Sequence, residues 1–208
     1  TASESIEYAK ARGNVAAVLA AMPDASARNQ ALSTYTDILN SVPADTHPVE
    51  HAEFLLALGQ AHRVQMVESR LGPVRDAIAA FEPAAELAAS AGRNDLAVRG
   101  LVETAITYVE LSVLDPETFN TAVAAFNRAL EAVPATAQPD QHAELQLEYG
   151  HLWASRTTQN DESAYASALQ HYEAAIALGP TLTSPSQVAP ALIEAPRLIV
   201  ERDAPTQE

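Results

Sequence analysis

Apolar positions recur at helical spacing over most of the chain, and turn-forming residues cut that pattern into paired segments. Ile6, Val15, Val18 and Leu19 predict a first helix over about 3–21, ended by Pro23-Asp24 because proline lacks an amide donor and restricts the residue before it. Its partner is predicted over about 24–41. A second pair starts at His47-Pro48, where proline suits a first helical turn, runs to about Ser69, breaks at Leu71-Gly72-Pro73 and resumes to about Ser90, with Ala91-Gly92 as terminator. The third pair is predicted over about 94–113 and 116–133, with Asp115 as an N-cap ahead of Pro116. A fourth covers about 139–156 and 161–178, parted by Thr157-Thr158-Gln159-Asn160 and closed by Gly179-Pro180. The ninth helix opens at the capping-box sequence Ser184-Pro185-Ser186-Gln187 and carries Val188, Leu192, Ile193, Ile199 and Val200 as one apolar stripe. Pro83 falls inside the second helix of the second pair, where a missing donor and a ring clash predict a kink.

Superimposed on the helical period is a longer one. The pattern Ala-x-x-x-aromatic-x-x-(Ala/Ile) occurs at Ala31/Tyr35/Ile38, Ala77/Phe81/Ala84, Ala122/Phe126/Ala129 and Ala168/Tyr172/Ala175, in steps of 46, 45 and 46 residues. A shift of 91 residues also lays His51-Ala52-Glu53 and Gly59 on His142-Ala143-Glu144 and Gly150, and Val42-Pro43 on Val133-Pro134. Such self-similarity marks a stacked array in which each unit buries its apolar face against its neighbours. The expected units are residues 1–46, 47–91, 92–137 and 138–182, with 183–208 as a capping helix and tail or, alternatively, a homo-oligomer interface.

The small-then-aromatic pattern, the pairs Leu58-Gly59 and Tyr149-Gly150, and the following Pro43, Pro134 or Pro180 resemble the tetratricopeptide repeat. That resemblance covers residues 1 to about 182 and implies an all-α, right-handed α-solenoid, with small residues at close helix crossings and Tyr35, Phe81, Phe126 and Tyr172 filling space between successive units. Units of 45 or 46 residues exceed the family's standard length and resemble the long arrays of bacterial multidomain signalling and defence proteins. Family members bind partners on the concave face of the first helices. Carried over from Gly13, Gly59, Ala105 and Gly150, that face comprises Glu7, Lys10 and Asn14, then Glu53, Gln60 and Arg63, then Arg99 and Glu103, then Glu144, Glu148 and His151. Lys10, Asn14 and Arg99 occupy three of five places of the family's carboxylate clamp, but Ala57 and Glu103 replace the others, and a carboxylate there repels an acidic terminus. In the first unit, Ala11, Val15 and Val18 offer a second apolar face, so its register has two readings.

Composition narrows the partner. Twelve basic residues, one of them lysine, against 27 acidic ones give a net charge of −15, which argues against nucleic acid, since a phosphate-binding surface needs clustered Lys and Arg, and predicts a basic or amphipathic protein or peptide partner. The hydrophobic fraction of 48% with 5% aromatic is mostly small or helix-packing residues, as a close-packed helical array requires. No apolar run is long enough to span a membrane. Without cysteine there is neither disulfide nor thiol catalysis, and the compartment stays open: cytoplasmic is favoured, with a periplasmic or secreted location allowed by the start at Thr1.

Catalytic patterns are weak. His47 and His51 have i, i+4 spacing, but Pro48 starts a helix between them and only His51 has a repeat-equivalent histidine. Neither a nucleophile elbow nor a Gly-rich phosphate loop occurs. The expectation is a non-catalytic interaction scaffold without metal or cofactor. Its alternatives are a regulatory module of a larger bacterial enzyme or regulator, or an extracytoplasmic repeat protein that docks a solute-binding protein or small ligand.

Overall fold

The computed structural model describes residues 5–65, 71–157 and 162–203, with residue 203 described by its backbone alone. Among them are nine α-helices and no strand: α1 (Ile6–Ala20), α2 (Ala25–Ser41), α3 (Pro48–Val64), α4 (Leu71–Ser90), α5 (Asn94–Leu114), α6 (Phe119–Ala132), α7 (Pro139–Ala154), α8 (Glu162–Leu178) and α9 (Ala189–Asp203). Two compact units divide the chain, Thr1–Thr107 and Tyr108–Glu208, and α5 contributes to both. In the first, α1 packs on α2, α2 on α3 and α3 on α4; in the second, α6 packs on α7, α7 on α8 and α8 on α9.

Helix starts follow the expected chemistry, with one addition. Ser5 Oγ accepts the Tyr8 amide at 3.3 Å and Asp24 Oδ2 accepts the Ala27 amide at 2.8 Å, so each supplies a partner to an orphan donor of the first turn. α3 and α7 begin at prolines, and the residues before them make no side-chain cap. The histidines three positions after those prolines act backwards instead: the His51 ring donates from Nδ1 to the Val42 carbonyl at 2.7 Å, and the His142 ring to the Val133 carbonyl at 2.6 Å. Each imidazole thereby serves an orphan acceptor at the C-terminal end of the preceding helix, α2 or α6. These are the repeat-equivalent histidines, so the duplicated signal is a structural staple.

Several boundaries differ from the sequence expectation. α3 is described as Pro48–Val64, the expected end near Ser69 lies outside the described residues, and Gly72-Pro73 lie in the first turn of α4, where a missing amide leaves no bond unmade. The Thr158-Gln159-Asn160 part of the expected fourth-pair turn lies outside the described residues. Asp115 forms no side-chain cap; its carbonyl accepts Thr118 N and Oγ1, and a 3-10 turn at Pro116–Thr118 precedes α6. Nor does the capping box at Ser184 form. Gln187 Nε2 instead donates to the Asp140 carbonyl at 2.9 Å, while Thr183 donates from its amide and hydroxyl to the Asp140 carboxylate, tying this segment to the start of α7. α4 runs through Pro83, whose ring is exposed, while Ala77, Phe81, Ala84 and Ala88 are all buried.

The core is built as the small-and-aromatic repeat demands. Ala31, Ala77, Ala122 and Ala168 are fully buried, as are Phe81, Phe126 and Tyr172, with Tyr35 nearly so. The rings of Phe81 and Tyr172 lie on the glycines of their own pairs: a Cβ on Gly59 would stand 2.4 Å from Phe81, and one on Gly150 2.4 Å from Tyr172. Glycine here removes the atom that would hold the helices apart. In α1 the buried residues are Ala9, Gly13, Ala16 and Ala20, whereas Val15 and Val18 are exposed, which selects the Gly13 register. α5 comes close to α4 at Gly100, where a Cβ would meet Ala85 at 2.8 Å; Ala105, the packing residue expected from the sequence, is also buried.

One expectation is overturned at α9. Of its predicted stripe only Val188 is buried, beside Ala191, Ala195 and Leu198, while Leu192, Ile193, Ile199 and Val200 are exposed. Small alanines let α9 lie close to the α8 residues Ala168, Tyr172 and Ala175, and this rotates the large aliphatic residues outward.

Candidate interaction surface

The first helices of the first unit enclose a concavity of about 390 Å3 between α1 and α3. Its floor is Gly13, Ala17, Tyr35, Phe54 and Ala57, and its rim is Lys10, Asn14 and Glu53. The floor is low because Gly13 has no side chain: a Cβ there would stand 2.9 Å from the Phe54 ring. Tyr35 closes the bottom, donating its hydroxyl to the Gly13 carbonyl at 3.1 Å, and burial raises its pKa. Three expected face residues therefore meet at one apolar hollow with a mixed polar rim. Glu7, Lys10 and Asn14 are all exposed, and their i, i+3, i+7 spacing places them on one side of α1.

Charges around that hollow are compensated. Lys10 Nζ lies 3.9 Å from Glu50 Oε1, and Arg93 Nη1 lies 3.9 Å from Glu53 Oε1. Arg93 also grips Asp95 with two bonds, Nε to Oδ1 at 2.9 Å and Nη2 to Oδ2 at 2.7 Å, and this holds the Asp95 carboxyl down at about 2. Further along the face, Glu103 of α5 accepts from Arg63 Nη1 and, at 3.3 Å, from Gln60 Nε2, so three expected partner-binding residues form a bridge between α3 and α5. Arg99, one turn before Glu103, is exposed. Two carboxylates of the expected face are thus held in this unit by Arg63 and Arg93, cations that sequence spacing alone did not bring to Glu103 and Glu53.

The second unit gathers Glu144, Glu148 and His151 along α7. His151 Nδ1 lies 3.3 Å from Glu148 Oε2, and the ring meets Tyr172 edge-on at 5.6 Å between centroids. The Tyr172 hydroxyl is buried and has no hydrogen-bond partner among the described residues, whereas its counterpart Tyr35 has one. Burial, with Glu194 and Glu148 nearby, pushes the Tyr172 phenol far up. On the other side of α7 runs a chain of bonds: His171 Nδ1 donates to Gln146 Oε1 at 2.8 Å, Gln146 Nε2 donates to His142 Nε2 at 3.1 Å, and His142 Nδ1 donates to the Val133 carbonyl. His171 also stacks on Tyr149 at 3.9 Å, and burial brings its pKa down to about 4. Sequence reasoning missed this chain: i, i+4 spacing links His142 and Gln146, but no spacing rule links either to His171 on α8.

Among the described residues no group of three or more histidines and carboxylates stands together as metal ligands, and no helix is long and apolar enough to cross a membrane. No protein-family model matches the chain, and no curated protein does. Among solved structures it is similar to a Rap protein complexed with competence and sporulation factor, with a TM-score of 0.54 and 14% identity over 94% of this chain and 53% of that one. The fold is an all-α solenoid. The likeness supports a tetratricopeptide-like fold, and the chain spans about half the length of that Rap protein.

Proposed function

We propose that the chain is a non-catalytic scaffold that binds a basic or amphipathic peptide or helix on the face of its first helices. The observation that carries this reading is the hollow between α1 and α3, which offers an apolar floor to an anchoring side chain and Lys10, Asn14 and Glu53 to the flanking backbone and charges. Arg99, Gln60 and Arg63 with Glu103 extend the face within the first unit, and Glu144, Glu148 and His151 supply that of the second. The solved Rap protein is complexed with competence and sporulation factor, which supports an interaction role for a fold of this kind. A net charge of −15 favours cationic partners through long-range attraction.

A selection of displayed random peptides on the purified chain tests this. Enriched sequences should be basic or amphipathic, and their binding should weaken as salt rises. Ala57→Arg, which fills the hollow from a partly exposed position of its floor, should weaken the selected peptides at least about tenfold while leaving the melting temperature unchanged. Peptides that bind this variant as tightly as the parent would place recognition elsewhere.

A further inference from the structure

The two walls of the hollow between α1 and α3 differ in chemistry. Lys10 and Asn14 put hydrogen-bond donors on the α1 wall, and Glu53 puts an acceptor on the α3 wall. These groups keep bonding capacity in reserve. Arg93 stays 3.9 Å from the Glu53 carboxylate, because its Nε and Nη2 are committed to Asp95, and Lys10 stays 3.9 Å from Glu50; both separations exceed hydrogen-bond range. Neither Glu53 nor Asn14 makes a side-chain hydrogen bond among the described residues. Lys10 and Arg93 face Glu50, Glu53 and Asp95, two cations against three carboxylates, so the rim accommodates one further positive charge.

The bottom of the hollow accommodates none. Gly13, Ala17, Phe54 and Ala57 present carbon or bare backbone there, and the Tyr35 hydroxyl is already donated to the Gly13 carbonyl. A lysine or arginine side chain entering tip first would bury its charge on this floor away from any carboxylate, which is unfavourable. A bulky apolar side chain suits the floor, and the positive charge must then sit at the height of the rim, on the backbone that bears that side chain. Only the first residue of a peptide carries one, its α-ammonium. The ammonium and the carbonyl of that residue leave its α-carbon in different directions, matching an acceptor on α3 and donors on α1. A C-terminal residue or a free amino acid would bring a carboxylate to a rim with negative charge in excess. The volume of about 390 Å3 lies at the lower end of ligand pockets, about 300–1,000 Å3, and gives room for one residue and the peptide group that follows it.

Granted that the hollow is where the partner anchors, we infer that it captures a peptide by its N-terminus: a bulky apolar first side chain on the floor, the α-ammonium at Glu53, and the first carbonyl at Asn14 and Lys10. The probe is a set of hexapeptide pools tethered by their C-termini, with the first residue fixed in turn and the others random, each made with free and with acetylated amines. Capture of the whole chain should favour Leu, Ile, Met and Phe in first place, and acetylation should weaken it at least about tenfold. Glu53→Gln, which breaks no hydrogen bond among the described residues, should remove the preference for the free amine at an unchanged melting temperature. Ala57→Arg should weaken capture of the free-amine pools at least as much as acetylation does. Capture that Ala57→Arg weakens but that acetylation or Glu53→Gln leaves as it was would overturn N-terminal recognition and leave the hollow as the binding site. Capture indifferent to Ala57→Arg, or none from any pool, would overturn the binding role of the hollow and N-terminal recognition with it.

Discussion

Gly59→Ala should destabilise the protein although it raises helix propensity. The new methyl would stand 2.4, 2.6 and 2.8 Å from three carbons of the Phe81 ring, well inside contact distance. Phe81 has no room to withdraw, being fully buried among Ala52, Ala77 and Ala84, themselves fully buried. Overpacking costs about 1–3 kcal/mol, and contacts this short with a ring that cannot move belong to the upper part of that range, about 2–3 kcal/mol; replacing a mid-helix glycine returns at most about 1 kcal/mol, so the net loss is about 1–2 kcal/mol. Gly72→Ala is the contrast: apart from its chain neighbours a Cβ there meets nothing within 4 Å, and the propensity gain of at most about 1 kcal/mol is offset by crowding against the Pro73 ring that follows. For a unit of this size the first change should lower the thermal midpoint by about 5–10 °C and the second leave it within a few degrees of the parent. Thermal unfolding followed by circular dichroism measures both. If Gly59→Ala melts at or above the parent temperature, the close seating of Phe81 on α3 is wrong, and with it the account of why the repeat pairs glycine with an aromatic ring.

Two further outcomes follow from the polar groups. Tyr172→Phe should leave stability unchanged or raise it by up to about 1 kcal/mol, whereas Tyr35→Phe should cost about 1 kcal/mol, because only Tyr35 donates to a carbonyl; equal losses in urea titrations would show that the Tyr172 hydroxyl is satisfied in solution. His171 titrates near 4 in the folded chain against an ordinary 6.5, so the unfolded chain takes up the proton first as the pH falls. Its contribution is therefore complete above about pH 6.5 and lost between there and about pH 4. His171→Gln should flatten the stability profile across that window, and a profile as steep as the parent's would remove His171 as its source.

The repeat made most of this fold readable, because its spacing reports packing directly: an alanine or glycine every 45 or 46 residues stands where two helices nearly touch. The readable part ended where the same residue types admit two arrangements. α1 has apolar residues on two sides, and only the seating of the Phe54 ring against Gly13 chooses between them. α9 was misread for a related reason. Hydrophobic periodicity finds the stripe of largest side chains, whereas close packing on α8 selects the stripe of smallest ones, Ala191 and Ala195. In an alanine-rich array the face with the greater hydrophobicity can be the one that is left outside.

The candidate face shows the complementary limit. Its residues were legible one helix at a time, since Glu7, Lys10 and Asn14, or Glu144, Glu148 and His151, follow from helical spacing. What each charge does there depends on neighbours 40 or more residues away in the chain. Glu103 reads as an acidic wall residue until Arg63 and Gln60 reach it from α3, and Glu53 until Arg93 approaches it. A carboxylate already held by a guanidinium offers little net charge to a ligand and acts mainly to fix the helices that carry it. Discrimination in the first unit should therefore rest on the hollow beside Gly13, where shape and an apolar floor are set by packing, more than on the acidic residues that dominate the composition.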